Sequence, residues 1–368
     1  MQERKFEIDL LKIVSVTMII VSHIIGYGGL TDKLPIGTAK WYETYLLYSI
    51  FIPFLDCFAI TTGYLMYGRD RKWIRLTRMH TKVYVYSVSL MIIAILFIKN
   101  YKISDIVYHI LPTFSSRYWY WTAYVVVFVF GSFINKLIAS LDEKECRQLL
   151  CAVIVIGVFY NVIKDGSEHA AGFRFGYSAI WLLSCYIIGA LLQKIDFLNK
   201  CSTGHLFTIM IICTILTFAV TAGMNLVELR MDCVLPEWIK AILYKYNSIT
   251  VVPVSVCLVE ICRRISISNI HPNVANFIIA LSNSSFGVYI LHNHIMTRDK
   301  LMTTLVEVFG LTGMSPYIYI YMVVVVAIMV YLVCAAIDVV FEHSIMKFYL
   351  IQSLNNKIAN ILNKWLGE

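Results

Sequence analysis

Residues 9–29 read DLLKIVSVTMIIVSHIIGYGG, a stretch that is long and apolar enough to cross a bilayer as a helix. It nevertheless carries Asp9, Lys12 and His23. Ionisable groups inside a spanning segment are costly, so by default they indicate a functional site. At about 100° and 1.5 Å per residue, Lys12 and His23 share one face of the helix, roughly 16 Å apart along its axis. Asp9 lies one turn before Lys12 and partly neutralises it.

The remainder of the chain is equally apolar. Of its 368 residues, 59% are hydrophobic and only 15% are charged, which is more apolar surface than a soluble domain can bury. We therefore predict an all-α fold, a polytopic transmembrane bundle of about ten spans. The predicted spans are residues 8–28, 43–67, 83–99, 119–140, 149–163, 177–193, 206–224, 243–262, 273–294 and 316–338.

The basic residues predict the orientation of the spans. The segment GRDRKWIRLTRMHTK, residues 68–82, joins the second and third spans and holds six Lys or Arg residues against one acid. Such a segment belongs in the cytoplasm, and alternating from it places both termini inside. After a transmembrane domain of residues 1–342, the segment 343–368 repeats apolar residues at helical spacing. It is predicted to form a cytoplasmic amphipathic helix at the membrane surface.

The ten cysteines predict neither a disulfide framework nor a metal site. Most of them, such as Cys57 and Cys185, fall inside apolar runs, and no Cys-x-x-Cys pair occurs. We interpret them as buried free thiols. The net charge of +8 is spread over loops, which fits membrane topology better than nucleic-acid binding. We therefore expect no metal ion and no nucleic-acid partner.

Polar residues in two further spans are candidates for a site. Asp56 is an acid in the middle of the second span, where it either faces a polar cavity, pairs with His23 or is satisfied by neighbouring hydroxyl groups. Tyr289, His292 and His294 come at the outer end of the ninth span, at the level of His23 on the predicted topology. His292, still inside the apolar run, is the stronger candidate of the two histidines there.

The cytoplasmic segment adds two arginines, Arg75 and Arg78, one helical turn apart. Their guanidinium forks suit phosphate oxygens, although a solvated basic loop needs no ligand at all. A cation near the cytosol and an imidazole deep across the bilayer suit a long donor with an anionic head and a reactive tip. Coenzyme A thioesters have that shape. The alternatives are that Lys12 extends to the interface and that His23 is a hydrogen-bonded packing residue.

Several segments resemble the acyltransferase-3 family of integral membrane acyltransferases, which O-acetylate bacterial surface polysaccharides. The opening IDLLKIVSVTMIIVSH resembles the family's LDxLRxxAxxxVxxxH signature, and FAITTGYLM resembles its FFxxSGYLL. IRLTRM matches an Arg-x-x-Arg element, while YWYWTAYVVVFVFGSFINKLI and SSFGVYILHN resemble two later segments. The resemblance is fairly specific, because five segments occur in the family's order over nearly the whole chain.

The resemblance implies roles for individual residues. His23 matches the family's essential first-span histidine, and Arg75 and Arg78 match its Arg-x-x-Arg pair. Lys12 stands where the family has arginine, which keeps the charge but removes bidentate recognition. Thr62 replaces a serine and retains a hydroxyl. We therefore expect His23 to be catalytic, and the three cationic residues to bind the donor.

Together these observations predict an O-acetyltransferase of the bacterial cell membrane. It would move an acetyl group from acetyl-CoA to a hydroxyl of a surface polysaccharide or its lipid-linked precursor. His23 is the predicted general base, and Tyr289 or His292 the predicted donor to the oxyanion. Transfer is either direct or relayed through His23 or Ser22. Asp56 is a fourth predicted member of the catalytic site.

Other interpretations stay open at this stage. A transporter or flippase for a lipid-linked oligosaccharide would also have about ten spans, with the charged stripe lining a passage. An acyltransferase acting on peptidoglycan or on a small molecule, or one that transfers succinyl groups, is a further alternative. The acceptor sugar, the hydroxyl position and the oligomeric state are likewise not determined by the sequence.

Overall fold

The computed structural model describes residues 5–97, 102–159, 172–240, 242–267 and 270–366. It is 80% helical and has no strand in those residues, so the predicted all-α fold is confirmed. The helices are α1 (Phe6–Tyr27), α2 (Leu30–Lys33), α3 (Ala39–Phe51), α4 (Phe54–Met66), α5 (Trp73–Phe97), α6 (Ile103–Ile110), α7 (Trp119–Ser140), α8 (Glu143–Gly157), α9 (Ala179–Ile195), α10 (Thr203–Met231), α11 (Glu237–Lys240), α12 (Val251–Arg264), α13 (Pro272–His292), α14 (Arg298–Val308), α15 (Pro316–His343) and α16 (Tyr349–Leu366).

Among the described residues, seven helical segments are long and apolar enough to cross a membrane. They are α1, the consecutive pair α3 and α4, α5, α7, α10, α13 and α15. Three shorter helices, α8, α9 and α12, overlap the other three predicted spans with 15, 17 and 14 residues. The chain is therefore a multi-pass membrane protein, as its hydropathy predicted.

The predicted limits differ most at the third span. The apolar run predicts a start at residue 83, whereas α5 begins at Trp73. The basic segment before residue 83 contains Arg, Leu, Met and Lys, which are good helix formers, so the helix continues beyond the apolar part. Arg75 and Arg78 therefore lie on the first turns of a long helix rather than in a loop.

The second span is broken at Pro53. Helix α3 ends at Phe51, and α4 starts at Phe54 after Pro53. Proline has no backbone N–H and its ring clashes with the preceding turn, which accounts for the interruption. Asp56 consequently lies in the first turn of α4 rather than in the middle of a continuous helix.

Helix α4 packs unusually closely against α9 through one glycine on each helix. A Cβ atom at Gly63 would lie 2.0 Å from the carbonyl oxygen of Tyr186, and one at Gly189 would lie 2.0 Å from that of Ile60. Small residues allow helix backbones to approach closely. Inside a membrane such close packing holds helices together, because the hydrophobic effect between them is weak. These two glycines therefore fix the position of α4.

Helix α1 occupies the centre of the bundle. It packs against α3, α4, α12, α13, α14 and α15. Its residues Ile20, Val21, Ile24 and Ile25 have no exposed surface. A helix that is enclosed on so many sides has little freedom to rotate, because interiors are close-packed. Polar side chains on α1 are thus held in fixed positions relative to the surrounding helices.

The last helix, α16, packs along the amino-terminal part of α5. The hydroxyl of Thr81 donates to the side chain of Asn355 at 2.8 Å, and Ala359 is buried beside it. On the other face Tyr349, Leu350 and Trp365 are at least 71% exposed. The helix is thus amphipathic, with one face on the bundle. Its location at the membrane surface stays a prediction.

Candidate active site

A cavity of about 850 Å³ opens among α1, α4, α5, α7, α13 and α15. We call it the inner cavity, because the predicted cytoplasmic segment 68–82 lines it. Five cationic side chains and two acidic ones face it, so its lining carries an excess of positive charge. The cationic residues are Lys12, Arg69, Arg75, Arg78 and Lys82, and the acidic ones are Asp338 and Glu342.

The structure brings the three predicted donor-binding residues together in this cavity. Lys12 lies 3.6 Å from Asp9, which in turn accepts a 2.6 Å hydrogen bond from Ser282. Arg75 and Arg78 lie on the same side of α5, and both are exposed. Arg78 also pairs with Glu342 of α15 at 3.1 Å. Because the ion pairs are partly exposed, these cations remain accessible to an anionic ligand.

A buried ion pair that the sequence analysis did not identify lies at the wall of the inner cavity. Lys82 lies 3.0 Å from Asp338, which also accepts a 2.9 Å hydrogen bond from Tyr86. Gly287 on α13 leaves room for this carboxylate, since a Cβ atom there would lie 1.9 Å from it. The sequence did contain a signal, because Asp338 ends an apolar run, but its partner was not evident.

A second cavity, of about 260 Å³, lies farther along α1 toward its carboxyl end. We call it the outer cavity. It is lined by His23 and by aromatic side chains from several helices and loops, with two arginines. The aromatic residues are Tyr27, Tyr48, Phe58, Trp119, Tyr120, Tyr177, Tyr246, Phe286 and Tyr289, and the arginines are Arg117 and Arg298.

The two cavities adjoin. They share four lining residues, Phe58, Tyr120, Ser285 and Phe286, from α4, α7 and α13. Lys12 lines the inner cavity and His23 the outer one, and both belong to the single helix α1. A ligand bound at the basic end of the inner cavity therefore needs an extended arm to reach the imidazole.

His23 forms a hydrogen-bonded pair with the buried His292. Nδ1 of His292 lies 2.6 Å from the carbonyl oxygen of Val288, and its Nε2 lies 3.1 Å from Nδ1 of His23. A carbonyl only accepts, so His292 carries its hydrogen on Nδ1, and Nε2 of the neutral ring must accept. His23 therefore donates through Nδ1, which leaves its own Nε2 unprotonated. This arrangement assigns a proton-accepting nitrogen to the outer cavity.

Tyr289 lies beside this pair. Its ring lies 6.4 Å from that of His292 and 5.8 Å from that of Tyr120, measured between centroids. Its hydroxyl group is buried and has no hydrogen-bond partner among the described residues. Because a buried polar group normally has a partner, an unpaired hydroxyl that lines a cavity is a candidate for ligand binding.

Asp56 lies elsewhere. Its Oδ1 accepts a 2.9 Å hydrogen bond from the indole of Trp181 and a weak 3.8 Å bond from the thiol of Cys185. It does not belong to the lining of the inner or the outer cavity. The structure thus brings His23, Tyr289 and His292 together but leaves Asp56 between α4 and α9. Its catalytic role stays a prediction.

Two further histidines, His109 on α6 and His294 two residues beyond the end of α13, lie outside the observed membrane-spanning helices and stack on each other. The rings of His109 and His294 lie 4.3 Å apart, and Ser87 contacts both of them. Burial lowers the pKa of His109 to about 4, with the charge of Arg117 adding to the effect. Burial and the neighbouring His109 lower the pKa of His294 to about 3. Both rings are therefore neutral at pH 7.

Within the described ranges, no cluster of three or more His, Cys, Asp or Glu side chains is placed to hold a metal ion. All ten cysteines lie in those ranges and are free thiols.

Fold and site together define a class of protein: a multi-pass membrane protein whose central helix extends along two adjoining cavities and presents a paired histidine to the outer one. A family model described as an acyltransferase domain, of the acyltransferase-3 type, matches residues 5–338. The chain therefore belongs to the acyltransferase-3 family and is a membrane acyltransferase. Comparison with curated proteins and with solved structures gives no match.

Proposed function

We propose that this protein is an O-acetyltransferase of the bacterial cell membrane that takes acetyl-CoA as donor. The acceptor is a hydroxyl group of a cell-surface polysaccharide or of its lipid-linked precursor. The observation that carries the proposal is the hydrogen-bonded pair of His23 and His292, with a proton-accepting nitrogen at the outer cavity. Both termini lie in the cytoplasm in this proposal, so the donor enters the inner cavity from that side.

Donor binding is assigned to the basic end of the inner cavity. The phosphate groups of CoA lie against Lys12, Arg75 and Arg78, where five cations face two acids. Arginine binds phosphate oxygens through a planar fork, and hydrogen bonds between ionised partners are the stronger ones. The pantetheine arm extends past Phe58 and Phe286 toward His23. The length of this arm is compatible with the roughly 16 Å that separates Lys12 from His23 along α1.

The acetyl group is transferred directly. Nε2 of His23 removes the proton of the acceptor hydroxyl, whose oxygen forms a bond to the thioester carbonyl carbon. The carbonyl oxygen becomes an oxyanion and accepts a hydrogen bond from the hydroxyl of Tyr289. When the intermediate collapses, the carbon–sulfur bond breaks, and the proton on His23 passes to the departing thiolate. The products are the acetyl ester and free CoA.

His292 is a positioning residue in this mechanism. Its Nε2 accepts from Nδ1 of His23, which fixes the tautomer and the orientation of the base. The same hydrogen bond strengthens when His23 becomes a cation in the transition state, since hydrogen bonds to charged groups are stronger than neutral ones. His292 therefore favours the transition state over the ground state.

The test uses membranes that contain the protein and [¹⁴C-acetyl]-CoA, with de-O-acetylated surface glycan as acceptor. We expect label in the glycan, and we expect His23→Ala to reduce the rate by at least about 10²-fold, the usual contribution of a general base. The control is His205→Ala, which removes an exposed histidine at the start of α10.

Each result has a clear consequence. No transfer by the wild-type protein would refute the proposed pairing of acetyl-CoA with a glycan hydroxyl. Transfer that survives His23→Ala, in a variant that inserts normally, would refute the base assignment. Glycan NMR with and without the gene then identifies the acetylated hydroxyl.

A further inference from the structure

The outer cavity has a charge that its proposed role does not explain. Two arginines, Arg117 and Arg298, line it, and no acidic side chain is among the described residues of its lining. The carboxylates that pair with these arginines lie outside that lining. Asp299, the partner of Arg298, is 64% exposed at its side chain. The charged side chains that line the cavity are therefore both cationic, and the carboxylates that balance them lie behind them, away from a bound ligand.

Arg298 is held rigidly near the proposed base. Its guanidinium lies 3.4 Å from the ring centre of Tyr27. The ring of Tyr27 in turn makes an edge-to-face contact with the ring of His23, with 5.1 Å between the centroids. Its Nε donates to Asp299 at 2.8 Å and its Nη1 to Asn293 at 3.4 Å. The side chain is only 15% exposed. Cation–π contact and hydrogen bonds thus orient the guanidinium before a ligand arrives.

Arg117 is fixed in a similar way by a different part of the chain. It lies just before α7, pairs with Asp105 of α6 at 2.9 Å, and stacks at 4.5 Å on Tyr108. Arg298, by contrast, begins α14. Two separate parts of the chain therefore each place a preoriented arginine at the same cavity. This convergence distinguishes the cavity from a surface that carries a single exposed basic residue.

The walls and the volume suggest a single sugar ring. Tyrosine and tryptophan combine a flat apolar face with a polar edge, and Tyr48, Trp119, Tyr177 and Tyr246 line the cavity. Its volume of about 260 Å³ is just below the roughly 300–1,000 Å³ of sites for drug-sized ligands. The cavity is therefore matched to one ring rather than to a longer oligosaccharide.

We propose that the acceptor is an acidic sugar, whose carboxylate or phosphate group binds Arg298 and Arg117 while a neighbouring hydroxyl faces His23. This inference rests on the proposed acetyltransferase function and adds the charge of the acceptor to it. A charge-assisted hydrogen bond to a fixed guanidinium would orient the ring, so that one hydroxyl group is presented to the base.

The experiment varies the acceptor and the arginine together. The acceptor is de-O-acetylated surface glycan, either untreated, reduced at its carboxyl groups with carbodiimide and borohydride, or dephosphorylated with hydrogen fluoride. The proteins are wild type, Arg298→Gln, Arg298→Lys and the control Arg147→Gln. Arg147 forms an exposed pair with Glu143 on α8 and lines neither cavity.

We expect Arg298→Gln to lower kcat/KM on untreated glycan by about 10- to 100-fold. This is the loss that corresponds to the free energy of one hydrogen bond to a charged group. Arg298→Lys should lose less, because it keeps the charge. Removing the relevant acid from the glycan should produce a similar loss with the wild-type protein. The combination of Arg298→Gln with the neutralised glycan should lose little more than either change alone, since both remove the same interaction.

The arms of the experiment separate the possible sources of the negative charge. Loss after carboxyl reduction identifies a carboxylate, and loss after dephosphorylation identifies a phosphate. Wild-type transfer that is unchanged by both treatments would overturn the inference, as would an equal effect of Arg298→Gln on treated and untreated glycan. No transfer to untreated glycan would instead refute the proposed acetyltransferase function, so the two failures are distinguishable.

Discussion

The pairing of His23 with His292 leads to a quantitative prediction for two substitutions. His292→Leu fills the buried space but leaves Nδ1 of His23 without an acceptor. His292→Gln offers a carbonyl oxygen that can accept the same hydrogen bond. If His292 orients the base and stabilises its charged form, the leucine variant should lose activity and the glutamine variant should recover part of it.

The size of the effect follows from the kind of hydrogen bond that is lost. A hydrogen bond to a charged group contributes about 1.5–3 kcal/mol, and each 1.4 kcal/mol corresponds to about tenfold in rate. His292→Leu should therefore reduce kcat by about 10- to 150-fold. KM for acetyl-CoA should stay within about twofold, because the cationic end of the inner cavity is unchanged.

The assay is the initial rate of acetyl transfer in membranes with matched amounts of inserted protein, with His205→Leu as the control for a histidine on the exposed start of α10. Two results would contradict the mechanism. Equal losses in the leucine and glutamine variants would indicate a packing role for His292. A leucine variant with wild-type kcat would show that His23 needs no such acceptor.

Two further predictions concern stability. Gly63→Ala places a methyl group about 2.0 Å from the carbonyl oxygen of Tyr186, so α4 and α9 must move apart; we expect a loss of about 1–3 kcal/mol, seen as a lower Tm in detergent. Gly223→Ala, with nothing within 4 Å of its new Cβ atom, should leave Tm unchanged or slightly raised, and equal effects would contradict the close-packing argument. The lowered pKa values of His109 and His294, about 4 and about 3, predict acid sensitivity, because the unfolded state binds protons first as the pH falls below about 6.5. The stability that is present above that pH should fall by about 2 kcal/mol per histidine between pH 7 and pH 5, and His109→Gln should weaken this dependence of Tm on pH. An unchanged slope would show that His109 is not the group that titrates.

The sequence predicted well those features that depend on residues close together in the chain. Hydropathy identified the helical membrane fold. The spacing of Lys12 and His23 predicted that one helix serves both ends of the site, and α1 carries them to the adjoining cavities. Pro53, a residue type that interrupts helices, coincides with the break between α3 and α4. These predictions required only helix geometry and the chemistry of single residues.

Features that depend on contacts between distant segments were not predictable in the same way. His292 and His23 are 269 residues apart, and the direction of their hydrogen bond is set by the backbone at Val288. Arg298 lies in a predicted outer loop, and nothing in the sequence indicates that it stacks on Tyr27. Such pairs are created by tertiary packing, so a single sequence gives candidates but not partners.

The junction between the two cavities bears on whether ions can leak through the protein. Three of the four shared side chains, Phe58, Tyr120 and Phe286, are aromatic. Apolar rings offer a hydrated ion little in exchange for its water molecules, whereas an extended arm without net charge can lie against them. In the proposed function the donor enters from the cytoplasmic side, and we expect these rings to exclude hydrated ions, so that the two cavities do not form a path along which ions cross the membrane.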